Sequence, residues 1–238
     1  MRVANPSIDS VDPSGKSLYL AGGISAIVLG CAYLAIFPLF AQVGAPPVGD
    51  GEVWLKYLAG KTALWWTILV LSVLTDFLYV PVALALYLAL ENVSRNVMLV
   101  ATAFVLLFVV LDLSVTWSHY AALLTLSARY EAAATDVQRA TYVAAASYPS
   151  AVLASRLLIV YAIVDLSFAI LLIGAVMLRG GFGKTVAWLA LATGISGIAS
   201  LAGWGFTIIL NALLATSWLL LIGYRLCRLA ASSEAVPR

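Results

Sequence analysis

Residues 62–90 read TALWWTILVLSVLTDFLYVPVALALYLAL, and residues 97–126 read VMLVATAFVLLFVVLDLSVTWSHYAALLTL. Each run exceeds the roughly 20 apolar residues that a helix needs to cross the hydrocarbon core of a bilayer. Only the short polar turn from Glu91 to Asn96 separates them, so the pair predicts a membrane hairpin. Each run also holds one aspartate near its middle, Asp76 and Asp112, and a later apolar run holds Asp165. A charged side chain at that depth costs about 2.5–3.5 kcal/mol on insertion scales, so three of them call for an explanation.

Composition places the whole chain with this hairpin. Of its 238 residues, 63% are hydrophobic and 10% charged, where a soluble domain carries about a quarter charged residues. The mean hydropathy is +1.04. Thirteen Lys and Arg against eleven Asp and Glu leave a formal charge of +2 with no basic block, which removes the electrostatic footprint of a nucleic-acid binder. The two cysteines, Cys31 and Cys227, lie at different depths without metal-ligand neighbours, and they read as small apolar fillers. Val28-Leu29-Gly30-Cys31 departs from a lipoprotein box at Leu29 and in the apolar residues after Cys31, and the segment before the first span is too weakly basic for a cleaved signal peptide.

Working outward from the hairpin, the pattern predicts an all-α, polytopic transmembrane helix bundle of six spans. Residues 1–16 form a polar tail, residues 17–227 the six-span domain and residues 228–238 a polar C-terminal tail. Span one covers about Leu18 to Ala41, where Gly22, Ala26 and Gly30 recur every fourth residue and permit close helix approach. Short interfacial helices are expected in the two longer outer loops. One runs from Glu52 to Lys61 with Trp54 and Tyr57; the other starts near Asp136, behind the capping-box pattern Thr135-Asp136-Val137-Gln138. Tyr148-Pro149-Ser150 opens span four, which ends near Leu178 with Arg156 in its outer part. The uncharged stretch from Thr185 to Tyr224 supplies spans five and six around a turn at Gly203-Trp204-Gly205. The tryptophans, with Tyr120, read as markers of the membrane interface.

Six spans put both termini on one side. That side holds Arg2, Lys16, Arg95, Arg179, Lys184, Arg225, Arg228 and Arg238, against Lys56, Lys61, Arg129, Arg139 and Arg156 opposite, so the termini are expected in the cytoplasm and the protein in the cell's inner (plasma) membrane. Asp76 and Asp165 each begin a half-span that meets a short turn and returns, a weak echo of a duplicated hairpin.

Helical spacing gives each aspartate companions on its own face: Ser72 and Tyr79 with Asp76, Thr116 and His119 with Asp112, and Tyr161 with Asp165. No Lys or Arg lies at their depth, so the carboxyl groups are expected to be neutral or neutralised by a bound cation. Two readings follow. In one, Asp76, Asp112, Asp165, Tyr79, Thr116 and Tyr161 line a site for a proton, a cation or a polar solute, with His119 a secondary candidate. In the other, the acids only join helices by hydrogen bonds, as in a non-catalytic accessory or scaffold subunit. That subunit would pack in a larger membrane complex, or with its own copies, through the small-residue face of span one and the helix near Asp136. A lone histidine does not make a haem or zinc site, and no Gly-x-Ser-x-Gly elbow accompanies it, so neither cofactor nor metal is expected and an enzyme is disfavoured.

Leu74-Thr75-Asp76-Phe77, Leu84-Ala85-Leu86-Tyr87, the turn Val93-Ser94-Arg95-Asn96 and the span end Tyr120-Ala121-Ala122-Leu123-Leu124 together resemble the bacterial family catalogued as domain of unknown function 4386. The stretch from Gly174 to Ala190, with its Gly-Phe-Gly-Lys turn, is similar to that family's late hairpin. The resemblance implies a six-span bacterial membrane protein with Asp76 at the position of a frequent family aspartate, and it carries over no catalytic residue.

Overall fold

The computed structural model describes residues 15–203 and 205–232. Residues 1–14 and 233–238 of the expected tails, and Trp204 of the expected turn, lie outside the described residues. Every regular element among the described residues is helical: α1 (Lys16–Val43), α2 (Gly51–Leu58), α3 (Thr62–Leu111), α4 (Ser118–Glu131), α5 (Asp136–Leu153), α6 (Arg156–Ile159), α7 (Asp165–Met177), α8 (Lys184–Ala199) and α9 (Gly205–Ser232). Two π-helical turns, Asp112–Trp117 and Val160–Val164, join α3 to α4 and α6 to α7, and a 3₁₀ turn, Ser200–Ala202, extends α8. Five of the helical stretches are long and apolar enough to cross a membrane, and the protein is membrane-embedded.

The longest stretch, Thr62–Glu131, is interrupted at Ser94, whose φ of −160° and ψ of 84° are not helical. The chain folds back there. Tyr79 and Phe108 meet edge to face at 5.4 Å, and Trp117 reaches Asp76 at 2.9 Å, pairs that only a hairpin with its apex near Ser94 can bring together.

α1 packs between the first arm of this hairpin and α9, through its small residues. A Cβ on Gly22 would come within 2.3 Å of the Ala85 Cβ and 2.8 Å of the Pro81 carbonyl oxygen, and one on Gly30 within 2.6 Å of Leu220. The expected small-residue face is therefore consumed inside the bundle, where it lets backbones approach closely. On the other side α7 packs on α8 and on the hairpin. Gly203, at φ +79°, makes the turn into α9.

The apolar interior has two parts. The larger includes Ala26, Leu86, Met98, Ala101, Ile173 and Leu219; the second gathers Trp54, Leu55, Trp65, Tyr120, Leu123 and Ala146 where α2, α4 and α5 meet the ends of α1 and α3. Outward-facing Ile24, Leu74, Phe77, Val110 and Ile209 are exposed, a surface suited to lipid.

Three expectations need correction. Tyr148-Pro149-Ser150 does not open a span: α5 continues through Pro149 to Leu153, and the membrane-length stretch begins at Arg156, where the Ser155 hydroxyl accepts from the Leu157 N–H at 3.2 Å. Pro149 buries its ring without breaking the helix, because it sits one turn from the end and lacks only one donor. The last helix does not stop at residue 227: α9 runs on to Ser232, and Leu229 and Ala230 prolong its apolar face. Finally, Trp54, Trp65 and Trp218 are buried rather than facing lipid, and Trp65 stacks on Tyr120 at 5.0 Å and 19°. Trp66 and Trp188 are exposed.

Candidate functional site

Where the two parts of the interior meet, the bundle forms a half-open cavity of about 330 Å³. Its walls come from α1, both arms of the hairpin, α4, the segment from Leu158 to Ile170, and α9. Asp76 and Asp112 face it, at 3% and 5% exposure. Their Oδ2 atoms converge on one donor: the Trp117 indole N–H lies 2.9 Å from Asp76 and 3.1 Å from Asp112.

The π turn explains this convergence. Its hydrogen bonds join residues five apart, so Asp112 and Trp117 fall on one face, whereas in a regular α-helix Trp117 would sit well around the cylinder. Reading the stretch with α-helical spacing alone therefore identifies Thr116, which does line the cavity, and misses Trp117, which binds both acids. The same extra residue separates His119 from the site. Its Nδ1 faces the Val115 carbonyl oxygen and the Ser118 hydroxyl, and its ring lies 5.5 Å from Tyr148.

Tyr79 is placed as expected, at 2.8 Å from the hydroxyl of Tyr33 on α1, a cavity residue the sequence reading did not single out. Ser72 also lines the wall, and its carbonyl accepts from the Thr75 hydroxyl at 2.7 Å. Asp165 and Tyr161 do not join the others. The wall on their segment is formed by Ala162, Ile163, Leu166, Ser167 and Ile170, one position on from each, which leaves both half-buried on the flank. Three aspartates thus resolve into one pair and one outlier.

A second polar group escaped notice because it is uncharged. Asn211 on α9 donates to the Thr193 carbonyl oxygen at 2.8 Å and lies 3.4 Å from the Ser167 hydroxyl, and both Asn211 and Ser167 line the cavity. No described Lys, Arg or His lines it, and no described group of three or more His, Cys, Asp or Glu could hold a metal ion. Asp112 Oδ1 and Thr116 Oγ1, one helical turn apart, are buried without a partner in hydrogen-bond geometry among the described groups. The Thr116 hydroxyl is itself a donor beside the Asp112 carboxyl group, so the two side chains can serve each other.

Comparison of the chain with family models, curated proteins and solved structures found no match.

Proposed function

We propose that the protein is a six-crossing bundle that binds, and in the course of transport carries, a proton, a cation or a polar solute at the Asp76–Asp112 pair. The observation behind this reading is the convergence of two buried carboxyl groups on a single neutral donor, in a cavity without a described basic side chain. Such a pair is short of positive charge, and intramembrane acids of this kind belong to ion and substrate pathways. Two π turns face the same cavity, and such turns concentrate at functional sites.

Length supports six crossings. At 1.5 Å per residue the 70 residues of Thr62–Glu131 would extend about 105 Å, more than three times the about 30 Å hydrocarbon core, and the break at Ser94 divides them into two passes. α2 and α5 then lie at one membrane surface. The sequence count of basic residues, larger for the side assigned to the termini, supports cytoplasmic termini, and the resemblance to the six-span family supports a bacterial inner membrane.

The test uses purified protein in lipid nanodiscs, with thermal unfolding followed across a panel of cations and pH values. Asp76→Asn and Asp112→Asn abolish ligand- and pH-dependent shifts in Tm, while Asp165→Asn leaves them intact. Cation binding needs a charged carboxylate, so it weakens as pH falls. Unchanged shifts in both Asp76→Asn and Asp112→Asn would end this reading.

The accessory-subunit reading keeps one surface, the exposed side of α5, where Val137 and Tyr148 are 78% and 71% exposed. A lone monomer in native mass spectrometry after gentle extraction counts against it.

A further inference from the structure

The cavity is closed along the direction of the spans and open to one side. Along α1 its wall, from Tyr33 to Phe40, lies between Leu29 of the larger apolar cluster and Val43 of the second. Along the first arm of the hairpin the wall from Ser72 to Tyr79 lies between Leu69 and Val82. Along the second arm the wall from Phe108 to Tyr120 lies between Val105 and Leu123. Packed apolar side chains therefore plug both ends, one of them beneath the fully buried Leu55 and Leu58 of α2.

Exposure of the lining residues locates the opening. From the hairpin, Ser72, Asp76, Phe108, Asp112 and Thr116 are buried and form the floor. Phe37 and Phe40 on α1, Leu158 and Ala162 at the second π turn, and Asn211 and Ala212 on α9 are half-buried and form a rim. α9 leaves α1 at this level: Leu220 meets Gly30, but Asn211 holds to Thr193 on α8. Every residue from 158 to 166 is half-buried, as in a wall with space on both sides. Leu34, Leu157 and Ile209, on the same three segments, are exposed apolar side chains suited to hydrocarbon, so the opening faces lipid.

Such an opening admits molecules already dissolved in the bilayer, and the site selects among them. Two carboxyl groups without a described Lys, Arg or His in the lining repel a phosphate or carboxylate head. A hydroxyl suits them in either protonation state, because it donates to a carboxylate and accepts from a carboxylic acid. Phe37, Phe40, Leu158, Ile163 and Ile170 can cover an apolar body. A volume of about 330 Å³, at the lower end of the roughly 300–1,000 Å³ of small-molecule sites, suits one small amphiphile.

We propose that the cavity takes up a neutral, hydroxyl-bearing lipid from the bilayer through this side opening, with its hydroxyl at Asp76 and Asp112 and its chain running out between α1 and α9. This names the polar solute of the function proposed above and rests on the Asp76–Asp112 pair being a binding site.

The experiment uses the full-length protein in lipid nanodiscs and has two parts. With Cys31 and Cys227 replaced by serine, nitroxide labels on Ala162→Cys and Ala212→Cys collide with oxygen, which dissolves in lipid, more than with a water-soluble nickel chelate. The reverse order at both positions overturns the side opening. Radiolabelled 1-decanol, decyl phosphate and decane are then compared, with empty nanodiscs subtracted. Decanol binds saturably at one site per chain, and the phosphate and the hydrocarbon bind about tenfold more weakly or worse. Asp76→Ala at the floor and Ala212→Trp at the rim each weaken decanol by about tenfold or more. Should Asp76→Ala fail to fold, Ala212→Trp and the three-ligand ranking decide the matter. Absence of saturable decanol binding, decane or decyl phosphate binding as well as decanol, or an affinity indifferent to both substitutions overturns the inference. If sodium or protons still shift the Tm through Asp76 while decanol does not bind, only the lipid ligand is wrong; if nothing acts through Asp76 or Asp112, the carboxylate-site reading falls as well.

Discussion

At the scale of single residues, Trp117 holds the site together. One indole N–H serves two carboxyl groups, so its loss leaves both without their shared donor in a buried setting. Trp117→Phe keeps the ring and removes the hydrogen bonds, and it should destabilise the protein by about 1–3 kcal/mol, read as a lower Tm in detergent. A change below about 0.5 kcal/mol would show that the acids find other partners. The three aspartates and Thr116 could be picked out from the chain because charge and hydroxyl groups stand out against leucine and valine. Trp117, Tyr33 and Asn211 could not, because a tryptophan, a tyrosine or an asparagine in a span is compatible with an interface, a packing contact or a site, and only the neighbours decide. The buried Trp65–Tyr120 stack makes the same point, since its members read as interface markers until α2 covers them.

At the scale of elements, the hairpin, the turn at Gly203 and the start of α5 were all legible. The Thr135 hydroxyl accepts from the Gln138 N–H at 3.2 Å, and the Gln138 side chain accepts in return from the Ala134 N–H at 3.0 Å, one residue short of the usual reciprocal bond. Thr135→Ala should therefore cost about 1 kcal/mol, seen as faster hydrogen exchange over the first turn of α5 and a small loss in Tm. Unchanged exchange there would mean that packing alone holds the helix start. The packing of α1 gives a stronger prediction. Gly22→Val places its Cβ against Ala85 and the Pro81 carbonyl oxygen, where backbone must move, and should destabilise by about 1–3 kcal/mol or more. By contrast Val28, exposed on the same helix, should accept Ala with a change within about 0.5 kcal/mol. What the chain did not disclose is the pair of π turns, because insertion of one residue into a helix leaves hydropathy untouched and changes only which side chains share a face.

At the scale of the whole molecule, the crossing number is open to direct measurement. With Cys31 and Cys227 replaced by serine, single cysteines at Ser94 and Val48 should be labelled by a membrane-impermeant thiol reagent from opposite sides of oriented vesicles. Labelling from the same side would rule out a two-pass hairpin and with it the six-crossing bundle. The sequence by itself determined that this is a helical membrane protein with a hairpin around Ser94 and costly acids at depth, because hydropathy and span length act locally along the chain. Only the tertiary structure decided that Asp76 and Asp112 pair while Asp165 stands aside, and that an aromatic-walled cavity lies beside the pair. Those outcomes depend on the rotation of each helix about its own axis. That rotation is set by small-residue packing and by the inserted π residues, which shift faces without altering the composition that marks a span.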